Sequence, residues 1–300
     1  MVVEIMEVNP DYRKEIEKIN ADGEEFANQQ MQIVYKNQKK HLDELHTFLG
    51  LLYIKYAVDG LLNLSTIVKA SVMAQINSKL KDIGKDLGQI EVSKVTDILS
   101  KSYSDVYYKN AFVMDKSFDV NLKFNILNDK LVNTAVNKKL NSELFSDRIW
   151  QNKADMIDKL HKAMTDITKG DITVDKAGKM IQRIFNVSAY ESKRLVTTEL
   201  TRIQTQASLD IGKSVGIKKV LFSATLDNKT SEFCKEHDDK IYDIDDDNKP
   251  EIPAHPNCRS CYINIPCDGW IPTKRLDNST KKMIDYTDYK TWSENKGVNI

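Results

Sequence analysis

Apolar residues in the first quarter of the chain are spaced as in helices. Residues 11–48 are charged and rich in Gln and Asn, with sparse apolar positions. This pattern predicts a polar helix that needs a partner helix or another chain to bury its few apolar residues. Residues 49–80 have many more Leu, Ile and Val positions, which predict a core helix that is interrupted near Gly60.

The helical pattern is less regular in the next part of the chain. Gly84 and Gly88 predict a turn, after which a helix is expected over residues 92–114. The stretch 115–131 predicts a short strand or a loop, because apolar and polar residues alternate there. The apolar positions of this alternation are Phe118, Val120, Leu122 and Phe124.

The periodicity becomes clearer after residue 140. One apolar stripe with helical spacing ends at Gly170, a residue type that favours helix C-termini; its members are Met156, Leu160, Ala163, Met164 and Ile167. A second, shorter stripe comprises Ala177, Met180, Ile181 and Ile184. Ser188 and Glu191 have the spacing of a capping box, which predicts a long helix from there to about Val215, ended by Gly216.

Short strands are expected after the long helix, at residues 220–222, 241–242 and 262–265. The predicted fold is therefore mainly α, of the α+β class. It consists of a long helical N-terminal half, followed by helices packed on a small antiparallel β module that carries a Cys/His knuckle.

Charge and hydropathy exclude several classes of protein. The 300 residues include 44 basic and 44 acidic side chains, but basic residues predominate in 51–222 and acidic residues in 223–250. The basic surplus is weak evidence for polyanion binding, and a solvated lysine-rich surface is the favoured explanation. No stretch is apolar enough for a transmembrane helix, and no signal-peptide pattern opens the chain, so we expect no membrane anchor.

Cysteine and proline are concentrated near the C-terminus. Five of the six prolines lie within residues 250–272, and the four cysteines are Cys234, Cys258, Cys261 and Cys267. Together with two histidines, three of these cysteines supply five donors of the type that holds a structural zinc ion. The five candidates are Cys234, His237, His255, Cys258 and Cys261.

Two other interpretations of the cysteines remain open. Cys234 and Cys258 are small enough to be buried apolar side chains beside a hydrogen-bonded core histidine, His255. A disulfide formed after release from the cytosol is the second alternative. Cys267 lies beyond Pro266 and is expected to stand apart.

Catalytic roles for these residues are weaker hypotheses. Cys258 with His255 has the residue types of a thiol nucleophile and its base, but residues three apart on a proline-stiffened loop rarely face one substrate. His255 with Asn257 suggests a nuclease of the His-Asn-His type, yet no histidine follows His255 to bind the catalytic metal. We therefore predict no catalytic residue, and keep a zinc-dependent nucleic-acid-binding or processing factor as the alternative.

Four motifs in register resemble the tailed-phage minor head proteins, the Mu protein F-like head morphogenesis family. They occupy residues 145–152, 194–202, 225–234 and 255–260. The resemblance covers about residues 145–266, and 285–292 is similar to a segment that often follows in the family. Residues 1–140 resemble the N-terminal half of the family members only in that this half is helical and variable.

The resemblance implies a minor capsid protein, present in few copies at the portal vertex, that acts in head assembly, genome packaging or delivery without catalysis. It implies a variable N-terminal region over 1–140 for portal and partner contacts, the family domain over 141–266 and a C-terminal tail over 267–300. The implied partner is the portal protein, with scaffold protein, major capsid protein and double-stranded DNA as further candidates. The implied location is the virion, in the capsid interior or at the portal vertex, and the host cytoplasm during assembly.

Six residues near the cysteines fall on positions of the family motif: Asp227, Cys234, His255, Asn257, Cys258 and Arg259. Family members often have cysteine where this chain has Ser231 and Ser260, and Cys261 lies one step further on. If the family site binds a metal ion, this chain keeps Cys234, His255 and Cys258 and would have to recruit His237 or Cys261.

The remaining matched residues are expected to be structural; they are Arg148, Trp150, Arg194, Glu199 and Arg202. Trp150 is predicted to anchor helix packing. Glu199 and Arg202 are three residues apart on a helix, so we expect them to pair on its surface or to hold the β module against it. Arg259 is a candidate for contacting an acidic partner or a DNA phosphate.

Overall fold

The computed structural model describes residues 11–118, 123–267, 269–270 and 272–296. Its helices are α1 (Tyr12–Tyr56), α2 (Thr66–Phe118), α3 (Asp129–Val136), α4 (Phe145–Ile167), α5 (Val174–Ser214), α6 (Glu232–His237) and α7 (Tyr289–Lys296). Its strands are β1 (Ala57–Val58), β2 (Leu61–Leu62), β3 (Lys219–Ser223), β4 (Ile241–Asp243), β5 (Cys261–Ile265), β6 (Lys274–Asp277) and β7 (Lys282–Asp285).

The three sheets that the described residues form are small and antiparallel. The central sheet has the order β4-β3-β5, with Val220 of β3 opposite Tyr242 of β4 and Asn264 of β5. The other two are the hairpins β1-β2 and β6-β7. Long helices with a small antiparallel module confirm the predicted mainly α fold, and β3, β4 and β5 include the three predicted strands. The hairpin β6-β7 and α7 were not predicted.

The N-terminal helix is longer than the sequence predicts. Residues 11–48 are helical as expected, but α1 continues to Tyr56. The interruption predicted near Gly60 is the β1-β2 hairpin, where Asp59 and Gly60 have positive φ angles of 50° and 79°. Most apolar side chains of residues 11–48 are buried or half-buried within this chain; the buried ones include Tyr12, Ile16, Ile19, Val34 and Leu45. A second chain is therefore not needed to cover them.

The turn predicted at Gly84 and Gly88 is wrong, because both glycines lie inside α2, a helix of 53 residues that also contains the segment 92–114. These glycines allow another helix to approach. A Cβ atom on Gly88 would lie 2.1 Å from Cζ3 of Trp150, and one on Gly84 would lie 2.9 Å from Cγ1 of Ile157. Both contacts are with α4.

The capping box predicted at Ser188 and Glu191 is also wrong, since α5 runs through both residues. The Ser188 hydroxyl instead accepts a hydrogen bond from Nζ of Lys153 at 3.2 Å. Glu191 pairs with Arg194 at 2.5 Å. The expected helix ends are confirmed: Gly170 follows α4 with a φ of 94°, and Gly216 follows α5 with a φ of 84°.

The strand or loop predicted over 115–131 falls partly on residues 119–122, which lie outside the described residues. Residues up to Phe118 belong to α2, and residues 123–128 have no regular structure. Asn128 then caps α3, because its side-chain oxygen accepts from the Leu131 N–H at 3.0 Å.

The chain forms two compact units. Unit 1 comprises the described residues of 1–27, 97–138 and 196–300, and unit 2 comprises 28–96 and 139–195. In the part of the chain that the structure describes, no helix is both long and apolar enough to cross a membrane. The domain boundaries implied by the family resemblance stay a prediction.

Unit 2 has an apolar core with a buried ion pair. Apolar side chains of α1, α2, α4 and α5 form the core, including Leu49, Leu80, Leu160 and Ile181. Nζ of Lys153 lies 2.6 Å from Oε2 of Glu91, and both side chains are buried. The hydroxyls of Ser188 and Ser192 complete the ammonium's surroundings, at 3.2 and 3.1 Å. A buried charge needs such partners because it has lost its hydration.

Unit 1 contains the central sheet, and the buried arginines Arg13 and Arg275 lie beside it. The guanidinium of Arg275 on β6 binds both carboxylate oxygens of Asp238, at 2.6 and 2.7 Å. Arg13 on α1 binds Asp239 at 3.2 Å and Glu17 at 3.0 Å. Oε2 of Glu17 accepts from the backbone N–H of Leu276 at 2.6 Å. The start of α1 is thus joined by polar contacts to the β module.

The packing of Gly88 leads to a first expectation. Gly88→Ala should lower the free energy of unfolding by about 1 kcal/mol or more, since the indole of Trp150 must move. Gly50→Ala is the matched control, because nothing lies within 4 Å of its added methyl group, and it should raise that free energy by roughly 0.5–1 kcal/mol. Urea unfolding measures both, and equal stabilisation by the two substitutions would contradict the close packing.

The buried ion pair leads to a second expectation. Lys153→Ala leaves the Glu91 carboxylate buried without a counter-charge, so the free energy of unfolding should fall by about 3–5 kcal/mol. Lys169→Ala is the control, because its pair with Asp166 is exposed, and it should change little. A small effect of both substitutions in urea unfolding would show that water reaches Glu91.

Candidate functional site

Three of the five predicted metal donors lie together in unit 1. Cys234 lies on the short helix α6, whereas His255 and Cys258 lie on the loop between β4 and β5. Ser231 begins α6, because its hydroxyl accepts from the Cys234 N–H at 3.3 Å. The donor atoms of the two cysteines and the histidine all lie within 4.8 Å of one another.

The separations within this group are short. Sγ of Cys234 is 3.9 Å from Sγ of Cys258 and 3.4 Å from Nε2 of His255. Oγ of Ser231 is 2.9 Å from the same ring nitrogen. Both cysteines are buried and belong to the apolar core of the β module, with Phe222. The arrangement therefore suits soft donors shielded from water.

His237 and Cys261 do not belong to this group of donor atoms. The His237 ring stacks on Phe233 with a centroid distance of 4.2 Å, and its Nδ1 donates to the Phe233 carbonyl at 2.7 Å. Cys261 lies on β5 opposite Ser223, where burial raises the pKa of its thiol to about 12. The resemblance implied that His237 or Cys261 would be recruited as a further metal donor. The structure places neither of them with Cys234, His255 and Cys258.

One hydrogen bond determines which nitrogen of His255 faces the cysteines. Nδ1 lies 2.9 Å from the carbonyl oxygen of Pro256. A carbonyl only accepts, so Nδ1 carries the proton and Nε2 presents its lone pair to Ser231 and Cys234. Metal-binding histidines are oriented in the same way, by a carbonyl on the nitrogen that does not bind.

The two buried thiols titrate as one system. The hydrogen bond between their sulfurs lowers the pKa of Cys258 and raises that of Cys234. The pair therefore favours sharing one proton, with the sulfur of Cys258 as the acceptor.

Two threonines of α5 hold the loop that carries His255 and Cys258. Oγ1 of Thr201 donates to the carbonyl of Cys258 at 2.5 Å. Oγ1 of Thr198 accepts from the backbone N–H of Asn257 at 3.0 Å. Asn257 has a φ of 61°, a left-handed conformation that asparagine tolerates better than most residues. Sequence reasoning missed both threonines, although they lie within the matched motif 194–202.

Asp227 and Arg259 join the segments on either side of the cysteine pair. Oδ2 of Asp227 lies 2.6 Å from Nη2 of Arg259. Oδ1 of Asp227 accepts from the Lys229 N–H at 2.9 Å, and Thr225 donates to the Arg259 carbonyl at 2.9 Å. Arg259 was a candidate for contacting an acidic partner or a DNA phosphate; in the structure its acidic partner is Asp227 of the same chain.

Glu199 and Arg202 face each other as predicted, but they are not a surface pair. Nε of Arg202 lies 2.6 Å from Oε2 of Glu199, and both side chains are buried. The other guanidinium nitrogens donate to the carbonyls of Ala135 and Val136, at 2.9 and 3.1 Å. Arg202 therefore caps the C-terminus of α3, where a helix exposes unpaired carbonyl oxygens. The three-residue spacing of Glu199 and Arg202 gives no information about these carbonyl partners on α3.

The other matched residues lie in unit 2. Arg148 and Trp150 lie in the first two turns of α4, and the Trp150 ring covers Gly88. Arg194 lies exposed on α5 beside Glu191. Their placement fits the structural roles expected of them, which remain a prediction.

The ion pair between Asp227 and Arg259 leads to a third expectation. Arg259→Ala should lower the free energy of unfolding by about 1–2 kcal/mol, because Asp227 then loses its counter-charge in a partly buried site. Asp227→Asn in the Arg259→Ala background should add little, and the double-mutant cycle measures this coupling. Arg194→Ala is the matched control on an exposed pair. Fully additive effects of Asp227→Asn and Arg259→Ala would contradict the contact.

Comparisons with known proteins match the part of the chain that contains the cysteine group. Residues 156–263, which include all three clustered donors, match the family model described as Phage Mu protein F like protein. Minor head protein GP7 of Bacillus phage SPP1 is 22% identical over 276 residues, which are 85% of this chain and 89% of that protein. No solved structure matches. These findings confirm the resemblance to phage minor head proteins of the Mu F-like type.

Proposed function

We propose that this chain is a minor structural component of a phage head that lies at the portal vertex. There it acts in head assembly and in packaging or delivery of the genome, without catalysing a reaction. The observation that carries the proposal is the similarity to a minor head protein over 85% of the chain, far beyond the family segment itself. A head morphogenesis role is the part of the proposal that this similarity supports directly.

The surroundings of the cysteines favour a non-enzymatic role. Cys258 is fully buried, so a substrate has no access to its sulfur. Nε2 of His255 faces Ser231 and Cys234 rather than solvent. Among the described residues, the group that gathers Cys and His donors contains a single histidine and no carboxylate. A His-Asn-His nuclease needs more ligands than this to activate water.

The portal protein is the proposed principal partner, through the region 1–140. Scaffold protein, major capsid protein and double-stranded DNA are further proposed partners. Large apolar side chains near the β1-β2 hairpin are exposed; Ile54 and Ile67 are each 84% accessible. Their burial in an assembly would remove apolar surface from water, which favours association.

A portal-deficient phage tests the proposed location. Heads assembled without portal protein should lack this chain, whereas wild-type heads should contain it in far fewer copies than the major capsid protein. Quantitative mass spectrometry of purified heads measures both. Equal incorporation with and without portal protein would contradict the location, and absence from wild-type heads would contradict the head role itself.

A paired substitution tests the proposed contact region. Ile54→Asp with Ile67→Asp should weaken co-purification of the full chain with portal protein, because charges then replace exposed apolar side chains. Ile241→Asp is the matched control, since Ile241 is exposed on β4, outside the proposed contact region. Unchanged capture by the double variant, or equal loss in the control, would contradict this contact surface.

A further inference from the structure

We propose that Cys234, His255 and Cys258 bind one zinc ion, and that the hydroxyl of Ser231 lies beside the fourth coordination position. The ion would join α6 to the loop between β4 and β5. This inference concerns the folded module and does not depend on the proposed role in the phage head.

The distances between the donors fit a tetrahedral ion. With Zn–S bonds of about 2.3 Å and Zn–N bonds of about 2.0–2.1 Å, the edges of a tetrahedron are about 3.8 Å between two sulfurs and about 3.6 Å between sulfur and nitrogen. The corresponding separations are 3.9 Å between the cysteine sulfurs and 3.4 Å between Cys234 and His255. The third edge, between Sγ of Cys258 and a ring nitrogen of His255, is no longer than 4.8 Å.

The donor types and their orientation favour zinc. Two thiolates with an imidazole suit zinc far better than magnesium or calcium, which prefer oxygen ligands. The bond from Nδ1 of His255 to the Pro256 carbonyl already turns Nε2 towards the sulfurs. The loop itself is held by Thr198 and Thr201, so the second half of the site is positioned before metal binding.

Ser231 occupies the remaining side of the group. Its hydroxyl lies 2.9 Å from Nε2 of His255 and accepts from the backbone N–H of Cys234. A neutral hydroxyl is a weak zinc ligand compared with a thiolate, so the hydroxyl or a water molecule that it binds completes the tetrahedron. Replacing this hydroxyl with a thiol should therefore strengthen the site.

Two metal-free states are the alternatives. In the first, the cysteines are packed and hydrogen bonded as thiols; in the second, they are oxidised to a disulfide. A disulfide requires the sulfurs to move from 3.9 Å to about 2.05 Å. Either alternative leaves His255 without a ligand role, so metal content separates the zinc-bound state from both metal-free states.

Zinc content of the full chain, purified without chelator, tests the proposal. We expect one zinc per chain by elemental analysis. Removal of the ion with a chelator should lower the thermal unfolding midpoint, and added Zn²⁺ should restore it. Cobalt substitution should give the visible and near-ultraviolet bands of tetrahedral thiolate coordination. Cys267→Ser is the matched control, because Cys267 lies outside the group, and it should retain the ion.

Variants of the group sharpen the test. Cys258→Ser should lose stoichiometric zinc, and Ser231→Cys should lower the zinc dissociation constant roughly tenfold or more, since a fourth thiolate completes the site. Wild-type protein that contains no zinc and shows no shift in unfolding midpoint with Zn²⁺ would overturn the proposal. A Cys234–Cys258 disulfide in protein from a reducing cytosol would overturn it as well.

Discussion

Buried arginine is the constraint on which unit 1 depends. A guanidinium has five N–H donors and keeps its charge in the interior, so every buried arginine must be surrounded by acceptors. The two terminal nitrogens of Arg275 meet this requirement with both oxygens of Asp238 and with the carbonyls of Ala224 and Thr287. Because these acceptors come from separate segments, the Arg275 side chain connects β6 to the residues that follow β3, α6 and β7.

This arrangement also positions the cysteine group. Asp238 directly follows α6 and accepts from the backbone N–H of Ala224, so the Arg275–Asp238 pair holds both ends of the segment that carries Cys234. The contact of Asp227 with Arg259 then connects this segment to the loop that carries Cys258. The matched motif residues therefore mainly connect segments that are distant in sequence.

Much of the fold could be predicted because it depends on local pattern. Apolar periodicity located the helices around Leu160 and Ile181, and glycine marked the ends of α4 and α5. The close spacing of donors identified three residues that do lie together, Cys234, His255 and Cys258.

The errors have a common physical cause, which is that distant contacts override local preference. Gly88 has the local pattern of a turn residue, but in the fold it lies in a helix where Trp150 packs on it. Ser188 has the local pattern of a helix cap, but in the fold its hydroxyl accepts a hydrogen bond from the buried Lys153. Arg202 resembles a surface cation because the carbonyl oxygens that it binds lie far away in sequence. The spacing of residues along the sequence does not reveal contacts with such distant residues.

The central claim is that buried arginine pairs hold unit 1 together. Hydrogen exchange measured by mass spectrometry on the full chain, wild type against Arg275→Gln, tests it most directly. The account predicts faster exchange in β3 and α6, because Asp238 is left buried without its counter-charge, and unchanged exchange in α4 of unit 2. Unchanged exchange in β3 and α6, or an equal increase in α4, would contradict it.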